Sequence, residues 1–398
     1  MELIVRTREG QAPGSQPVEV VERKGLGHPD TICDAVAERV SIELSRYYRA
    51  HFGAILHHNV DKVLLCGGSS RATFGGGEIL APIEIYLAGR ATSEYDGVDI
   101  PVHDIAIAAC RAVLHRHVRE LDVDRDVRIT SRLRPGSADL MRLFARGRAV
   151  PCANDTSCGV GFAPLTDLER VVLAVENELT DSERLAQHPE IGEDVKVMGV
   201  RHDDRIDVTV GCAFIARYVR DVEDYASKKD EACDRLRRAA RSAADVDVEI
   251  VINAADDLGR GNVFITATGT SAEAGDDGEV GRGNRVSGLI TPYRMSTMEA
   301  AAGKNPVSHV GKLYNLVAHR AAESIVKDLL DVNDAGCVLV SQIGRPVTDP
   351  HIVDVQLGVD PKVPLAGLRT TVAETLRAEL ESLPTLRDAI LEGQVPVF

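Results

Sequence analysis

The sequence predicts an α/β fold, α+β in the mixing of its sheets, divided into two or three domains. Three observations carry that reading. A chain of 398 residues with 44% hydrophobic content can bury more core than one ordinary domain needs. Apolar runs rich in β-branched residues alternate with stretches whose apolar residues fall at helical spacing. Strand groups and helix pairs recur about every 130 residues, close to the usual domain size.

Residues 2–6 read as a first strand and 10–17 as a turn-rich connector. Pro29 can occupy a first helical position, and Ile32, Val36, Val40, Leu44 and Tyr47 then form one apolar stripe. Strands are expected near 62–67 and 79–89, joined by the Gly-rich SSRATFGGGE, and a helix over 101–120. The neighbouring His57 and His58 cannot both chelate one ion from a strand and read as ordinary residues. A helix over 167–179 precedes three strand-like runs, VKVMGV, RIDVTVGCAFIARYV and VDVEIVIN, set around a helix at 221–243. Their alternation predicts sheets with one covered face. Asn305-Pro306 looks like a helix start, followed by Val310, Leu313, Val317, Ala321 and Ile325 on one face. Residues 363–393 read as a closing helix pair.

Charge narrows the function. A formal net charge of -15 argues against nucleic acid or an anionic membrane as partner, because neutralising phosphates needs a basic face. Any anionic substrate has to meet a local cluster of cations. The eight cysteines include no C-x-x-C pair and read as buried thiols of a reducing compartment. With no apolar leader and no run of membrane-spanning length, a cytoplasmic protein is expected.

The densest chemistry lies in 268–312. Gly269, Gly275, Gly278, Gly281 and Gly283 break its first half so that backbone amides can face an anion. Asp276 and Asp277 would repel a bare phosphate chain, which calls for a divalent cation between them, and Arg282 adds a permanent charge. Lys304, His309 and Lys312 gather at the expected helix start, where cations are unfavourable unless a polyanion docks. Upstream, His28 stands at the start of the helix beginning at Pro29, and Asp30 and Asp34 project from one face, as metal ligands or as ordinary N-terminal acids. Gly136, Ser137 and Asp139 lie in a small turn that reads as a mobile loop or a helix cap. Asn154 and Asp155 could receive an ammonium or simply form an Asx turn. Asp194 and Lys196 stand where a strand begins and can reach a cleft.

Five stretches, HPDTICDAVAE, NDTSCGVGFAPL, GEDVKVMG, GTSAEAGDDGEVGRGNRVSGLITPYR and AAAGKNPVSHVGKLYN, resemble the archaeal-type S-adenosylmethionine synthetases over essentially the whole chain. The resemblance implies three similar α/β domains about a pseudo-threefold axis, here 1–141, 142–267 and 268–398 with strands free to interleave. It also implies a homodimer with active sites between subunits. The implied reaction joins ATP and L-methionine into S-adenosylmethionine, with the tripolyphosphate cleaved to phosphate and pyrophosphate and with Mg²⁺ and K⁺ as cations.

By motif, the resemblance implies His28 at the polyphosphate or reacting end of ATP, Asp30 on magnesium and Asp155 on the methionine ammonium. It implies Asp194 as a nucleoside contact, Lys196 and Arg282 as phosphate contacts, and Asp276 near methionine and adenosine. Lys304 would lie beside the leaving chain. His309 falls near a lysine of the bacterial relatives, and Lys312 would share its work. Two positions depart from the bacterial pattern, Gly283 after Arg282, as in the archaeal branch and with Arg285 read as a substitute for the missing lysine, and Thr31 in place of lysine; Arg134-Pro135 stands where a Gly-containing pair is expected before Gly136-Ser137. A silent nucleotide-binding paralogue and a Mg²⁺-dependent phosphotransferase or triphosphatase are the competing readings. The latter lacks a Walker A signature, since Gly303-Lys304-Asn305 has neither the upstream Gly nor a following Ser or Thr.

Overall fold

The computed structural model describes residues 2–136 and 151–398. Its strands form three main sheets of one repeated pattern. In the first, Gly278–Glu279 lies antiparallel to His58–Cys66, which lies antiparallel to Ile83–Ala91, which is joined in parallel by Val127–Arg134. The second repeats this order with Val18–Lys24, Ile191–His202, Arg205–Ile215 and Asp247–Ile252. The third repeats it with Cys158–Ala163, Val332–Val340, Ile352–Val359 and Glu2–Thr7.

Helices come with each hairpin. Pro29–Phe52 and Val102–His117 belong with the first sheet, Asp167–Thr180 and Val222–Ala243 with the second, Val310–Asp328 and Leu365–Glu381 with the third. In the first two sheets the parallel strand follows a helical crossover, as a parallel neighbour requires. In the third, that place is taken by the strand at the start of the chain. Linear cuts at 141/142 and 267/268 therefore separate the strands at 2–7, 18–24, 158–163 and 278–279 from the sheets they complete.

Local chemistry explains the boundaries. Thr166 and Glu169 close a reciprocal capping box at the start of Asp167–Thr180, whose Leu168, Val171, Val172, Val175 and Leu179 are buried, each such side chain contributing about 1.5–3 kcal/mol. Pro29–Phe52 begins with Pro29 at its first turn and ends on Gly53 in the left-handed conformation.

Two expectations need correction. SSRATFGGGE is a hairpin, Ser69–Thr73 against Gly76–Ala81, because its alternating small and polar residues can pair across the Gly-rich turn. The later helix starts at Val310 rather than at Pro306: Asn305 Oδ1 accepts from the Val307 amide and holds 305–308 as a turn, and His309 caps the helix. No helix among the described residues is long and apolar enough to cross a membrane. All eight cysteines are free.

Candidate active site

The Gly-rich loop lies directly on the start of Pro29–Phe52. A Cβ at Gly278 would stand 2.3 Å from the Pro29 carbonyl group, so only glycine permits this approach. Between them opens a groove of about 610 Å³ lined by Lys24, His28, Asp30, Lys196, Asp276, Asp277, Glu279 and Arg282, with Leu64, Gly275 and Gly278. Four of the predicted residues on either side of the chain's middle thus meet: His28 and Asp30 from the first helix with Asp276 and Arg282 from the loop. Lys196 joins them from the second sheet.

His28 Nδ1 accepts from the Asp30 amide at 3.2 Å. Burial, reinforced by Lys24, lowers its pKa to about 4. At neutral pH the ring is therefore uncharged, with its proton on Nε2 as a donor. Asp30 Oδ2 accepts from Lys24 Nζ at 2.9 Å and Oδ1 from the Glu279 amide at 2.9 Å. Arg282 keeps 71% of its side chain exposed and Lys196 keeps 47%, with Glu22 at 3.5 Å from Lys196. The groove thus offers exposed, incompletely neutralised cations above a hydrogen-bonded carboxylate.

Beneath the loop, Asp194 is buried and does not line the groove. Its Oδ2 accepts from the Ser271 amide at 2.7 Å and from Ser271 Oγ at 2.5 Å, and the same hydroxyl lies 2.9 Å from Asp276 Oδ2. Burial raises Asp194 to about 7.

Lys304, His309 and Lys312 lie outside the groove. Lys304 Nζ meets Asp61 at 2.8 Å and Glu299 at 3.2 Å with 6% of its side chain exposed. Burial would raise Asp61, but Lys304 and Lys62 hold it down at about 2. Lys312 is fully buried against both oxygens of Glu38, each at 2.7 Å. His309 Nδ1 accepts from the Gly311 amide, and burial lowers its pKa to about 3. The expected crowding of cations at a helix start is thus relieved by carboxylates of the first helix and sheet.

Asn154 belongs with this second region, since its amide donates to the Ser308 carbonyl. Asn154 Oδ1 is buried without a hydrogen-bond partner. Asp155 is exposed, its Oδ1 accepting from the Thr156 amide at 2.7 Å. Gly136 follows the strand Val127–Arg134 and does not line the groove, while Ser137 and Asp139 lie outside the described residues.

Arg285 does not line the groove. Its Nη1 donates to the Gly281 carbonyl at 2.7 Å. Gly283 has its own reason, since a Cβ there would stand 2.2 Å from Asp34 Oδ2. Sequence reasoning missed Lys24 and Ser271. Lys24 closes a strand immediately before Gly25-Leu26-Gly27-His28, a signal that was available; nothing local marks Ser271, whose partners lie 77 and 5 residues away.

Among the described residues no group of three or more His, Cys, Asp or Glu could hold a metal by itself. The groove nevertheless fits Mg²⁺ in the way that ion is held beside phosphates, by one or two carboxylates and the substrate's own oxygens.

Residues 1–394 match the family model described as S-adenosylmethionine synthetase (AdoMet synthetase). The chain is 52% identical over 372 residues to a probable S-adenosylmethionine synthase of Aquifex aeolicus, covering 93% of this chain and 92% of that protein. It is 48% identical over 388 residues to the S-adenosylmethionine synthase of Pyrobaculum neutrophilum, covering 96% of each. A solved structure titled as an unusual S-adenosylmethionine synthetase from Campylobacter jejuni shares the fold with a TM-score of 0.61 at 14% identity, over 92% of this chain and 88% of that one. Enzymes of this family use ATP, methionine and metal ions. The chain belongs to the S-adenosylmethionine synthetase family, with the methionine adenosyltransferase activity that defines it.

Proposed function

We propose that the groove holds the triphosphate of ATP and that this chain, after forming S-adenosylmethionine, hydrolyses the tripolyphosphate to phosphate and pyrophosphate. The observation that carries this is the convergence of Lys24, His28, Lys196 and Arg282 on one open groove floored by Asp30. A thioether sulfur has no proton to lose, so its attack on the ribose 5′ carbon needs no general base. The charge to be stabilised grows on the leaving polyphosphate, where fixed donors act most strongly. Arg282 and Lys196 supply charge, and neutral His28 donates from Nε2. Lys24 positions Asp30.

Asp30 is the residue that would hold Mg²⁺, whose charge, when bound, offsets that of the phosphates. K⁺ is the second proposed cation, with no residue assigned to it. Asp155 and Asn154 take the methionine ammonium and its surroundings, Asp276 lies between methionine and adenosine, and Asp194 positions Asp276 through Ser271. Lys304, His309 and Lys312 border the second region.

The groove and that second region carry the two halves of the expected site, which supports a homodimer that joins them across subunits. Each sheet has helices packed with it and also presents an exposed apolar side chain, Leu64, Val251 and Ile4 in turn, fitting sheet faces that meet in such a dimer. The repeated strand order supports three domains about a pseudo-threefold axis. The free thiols fit a cytoplasmic place.

Incubation with ATP, methionine, Mg²⁺ and K⁺ tests the reaction. S-adenosylmethionine, phosphate and pyrophosphate should rise in equal amounts, and only when methionine is present. Phosphate without the sulfonium product would make the chain a triphosphatase, and S-adenosylmethionine with intact tripolyphosphate would remove the hydrolytic step.

A further inference from the structure

Of the described lysines and arginines that line the groove, only Lys24 is buried. Its side chain is 10% exposed, against 47% for Lys196 and 71% for Arg282. Its backbone is fixed from both sides: Asn284 Oδ1 accepts from the Lys24 amide and Asn284 Nδ2 donates to the Lys24 carbonyl, each at 2.9 Å, while Lys196 pairs with Lys24 across the sheet. Nζ then donates to Asp30 Oδ2 at 2.9 Å and to the Arg282 carbonyl at 2.8 Å. The other oxygen of Asp30 already accepts from the Glu279 amide. Both carboxylate oxygens are therefore engaged before any ligand enters. We propose that Lys24 is a tethered counter-ion that blocks Asp30 in the substrate-free protein and leaves it for the polyphosphate, so that a divalent cation is admitted only together with the nucleotide. This rests on the reading above in which Asp30 holds Mg²⁺.

A metal ion arriving alone finds little to hold it. Beside phosphates Mg²⁺ is held by one or two carboxylates and the substrate's own oxygens, and among the described residues no group of three or more His, Cys, Asp or Glu could hold an ion without those oxygens. A carboxylate oxygen that an ammonium already bonds is a poor ligand for a second cation, because two positive charges at short range repel, the more so in a site partly shut off from water. A polyphosphate reverses the balance by offering Nζ a new acceptor. The move is short and strands no charge, since Nζ can keep the Arg282 carbonyl and Glu22 Oε1 stands 3.5 Å away as a second negative partner.

A plainer reading makes Lys24 a structural partner that only orients Asp30. The pair of Lys312 with Glu38, away from the groove, is of that kind. Lys24 and Asp30 differ from it, because both line the open groove and one acceptor of Nζ belongs to the loop that carries Arg282. The two readings predict opposite signs. Loss of an orienting partner weakens metal binding about 10- to 100-fold, whereas loss of a blocking cation strengthens it, since apparent affinity is reduced by the fraction of time the ligand is free.

Mn²⁺ binding to the intact protein, followed through the electron paramagnetic resonance signal of the free ion, separates them in wild type, Lys24→Met and Lys24→Gln. The glutamine keeps an uncharged donor for the Arg282 carbonyl, which protects the loop and the fold. Without nucleotide, both variants should bind Mn²⁺ at least about tenfold more tightly than wild type, and adding Asp30→Asn to Lys24→Met should abolish the gain. Equal affinities, or weaker binding in the variants, would overturn the proposal. If Asp30→Asn alone then still weakens Mn²⁺ binding in the presence of β,γ-imido-ATP, the metal role of Asp30 survives that failure. A gain that persists in the double variant would place the ion away from Asp30 and overturn both.

Discussion

The groove and the region under Val310–Asp328 both concentrate lysine and histidine, the groove with Arg282 besides, and they differ in what neutralises them. In the groove, Arg282 and Lys196 remain largely or half exposed, with carboxylates at 3.9 and 3.5 Å. Under the helix, Lys304 and Lys312 are buried and hold carboxylates at 2.7 to 2.8 Å. A surface charge short of full compensation can turn to a ligand at little cost. A buried pair does so only at a larger cost, because releasing either partner strands the other in low dielectric. Cation density along the sequence is thus a poor guide to a binding site unless the partners of each cation are known.

The contrast is broken most sharply at Lys312. Lys312→Met should destabilise the fold by about 3–5 kcal/mol in a denaturant titration, and adding Glu38→Leu should restore most of it; a single variant as stable as wild type would deny the buried pair its role. Arg282→Ala should do the opposite. Its kcat should fall by about 10²- to 10³-fold, while its melting temperature stays near wild type, as for most surface changes. Asp155→Asn should raise KM for methionine about tenfold with little change in kcat, since a charge-assisted contact becomes neutral. A defect in ATP binding alone would reassign the residue.

The smallest effect concerns pH. Burial raises Asp194 to about 7, so the fold favours its neutral acid. Its contribution to stability is complete below the ordinary carboxylate range and is lost as pH rises towards about 7. His28, lowered to about 4, works in the other direction, its share growing as pH rises from about 4 to its ordinary value. The difference in melting temperature between wild type and Asp194→Asn should therefore change between about pH 4 and 7 and be flat above that; a constant offset would mean that Asp194 is ionised throughout.

Much of the fold was legible because period and capping are local. The helices Asp167–Thr180 and Val222–Ala243 fall within a residue of their expected 167–179 and 221–243. The sheets were less so, since nothing in 2–7 announces that it completes a sheet made by residues 332–359. In the site, His28, Asp30, Asp276 and Arg282 could be read from a Gly-rich loop and a helix start that chemistry alone links to polyanions. Lys304 and Lys312 looked equivalent to them because Asp61 and Glu38, which neutralise them, are more than 240 residues away in sequence. Substrate identity came from family resemblance, not from charge patterns.

Mixing two disabled chains would probe the central claim most directly, that one site is built from the groove of one copy and the Asp155 region of another. Arg282→Ala and Asp155→Ala are each purified, mixed, dissociated and reassociated, and S-adenosylmethionine formation is measured at low methionine. In a mixed dimer one site then carries both substitutions and the other carries neither, so activity should return well above that of either variant alone. Activity that stays at the level of the separate variants after exchange is verified would place both residues in a site made by a single chain and contradict the account.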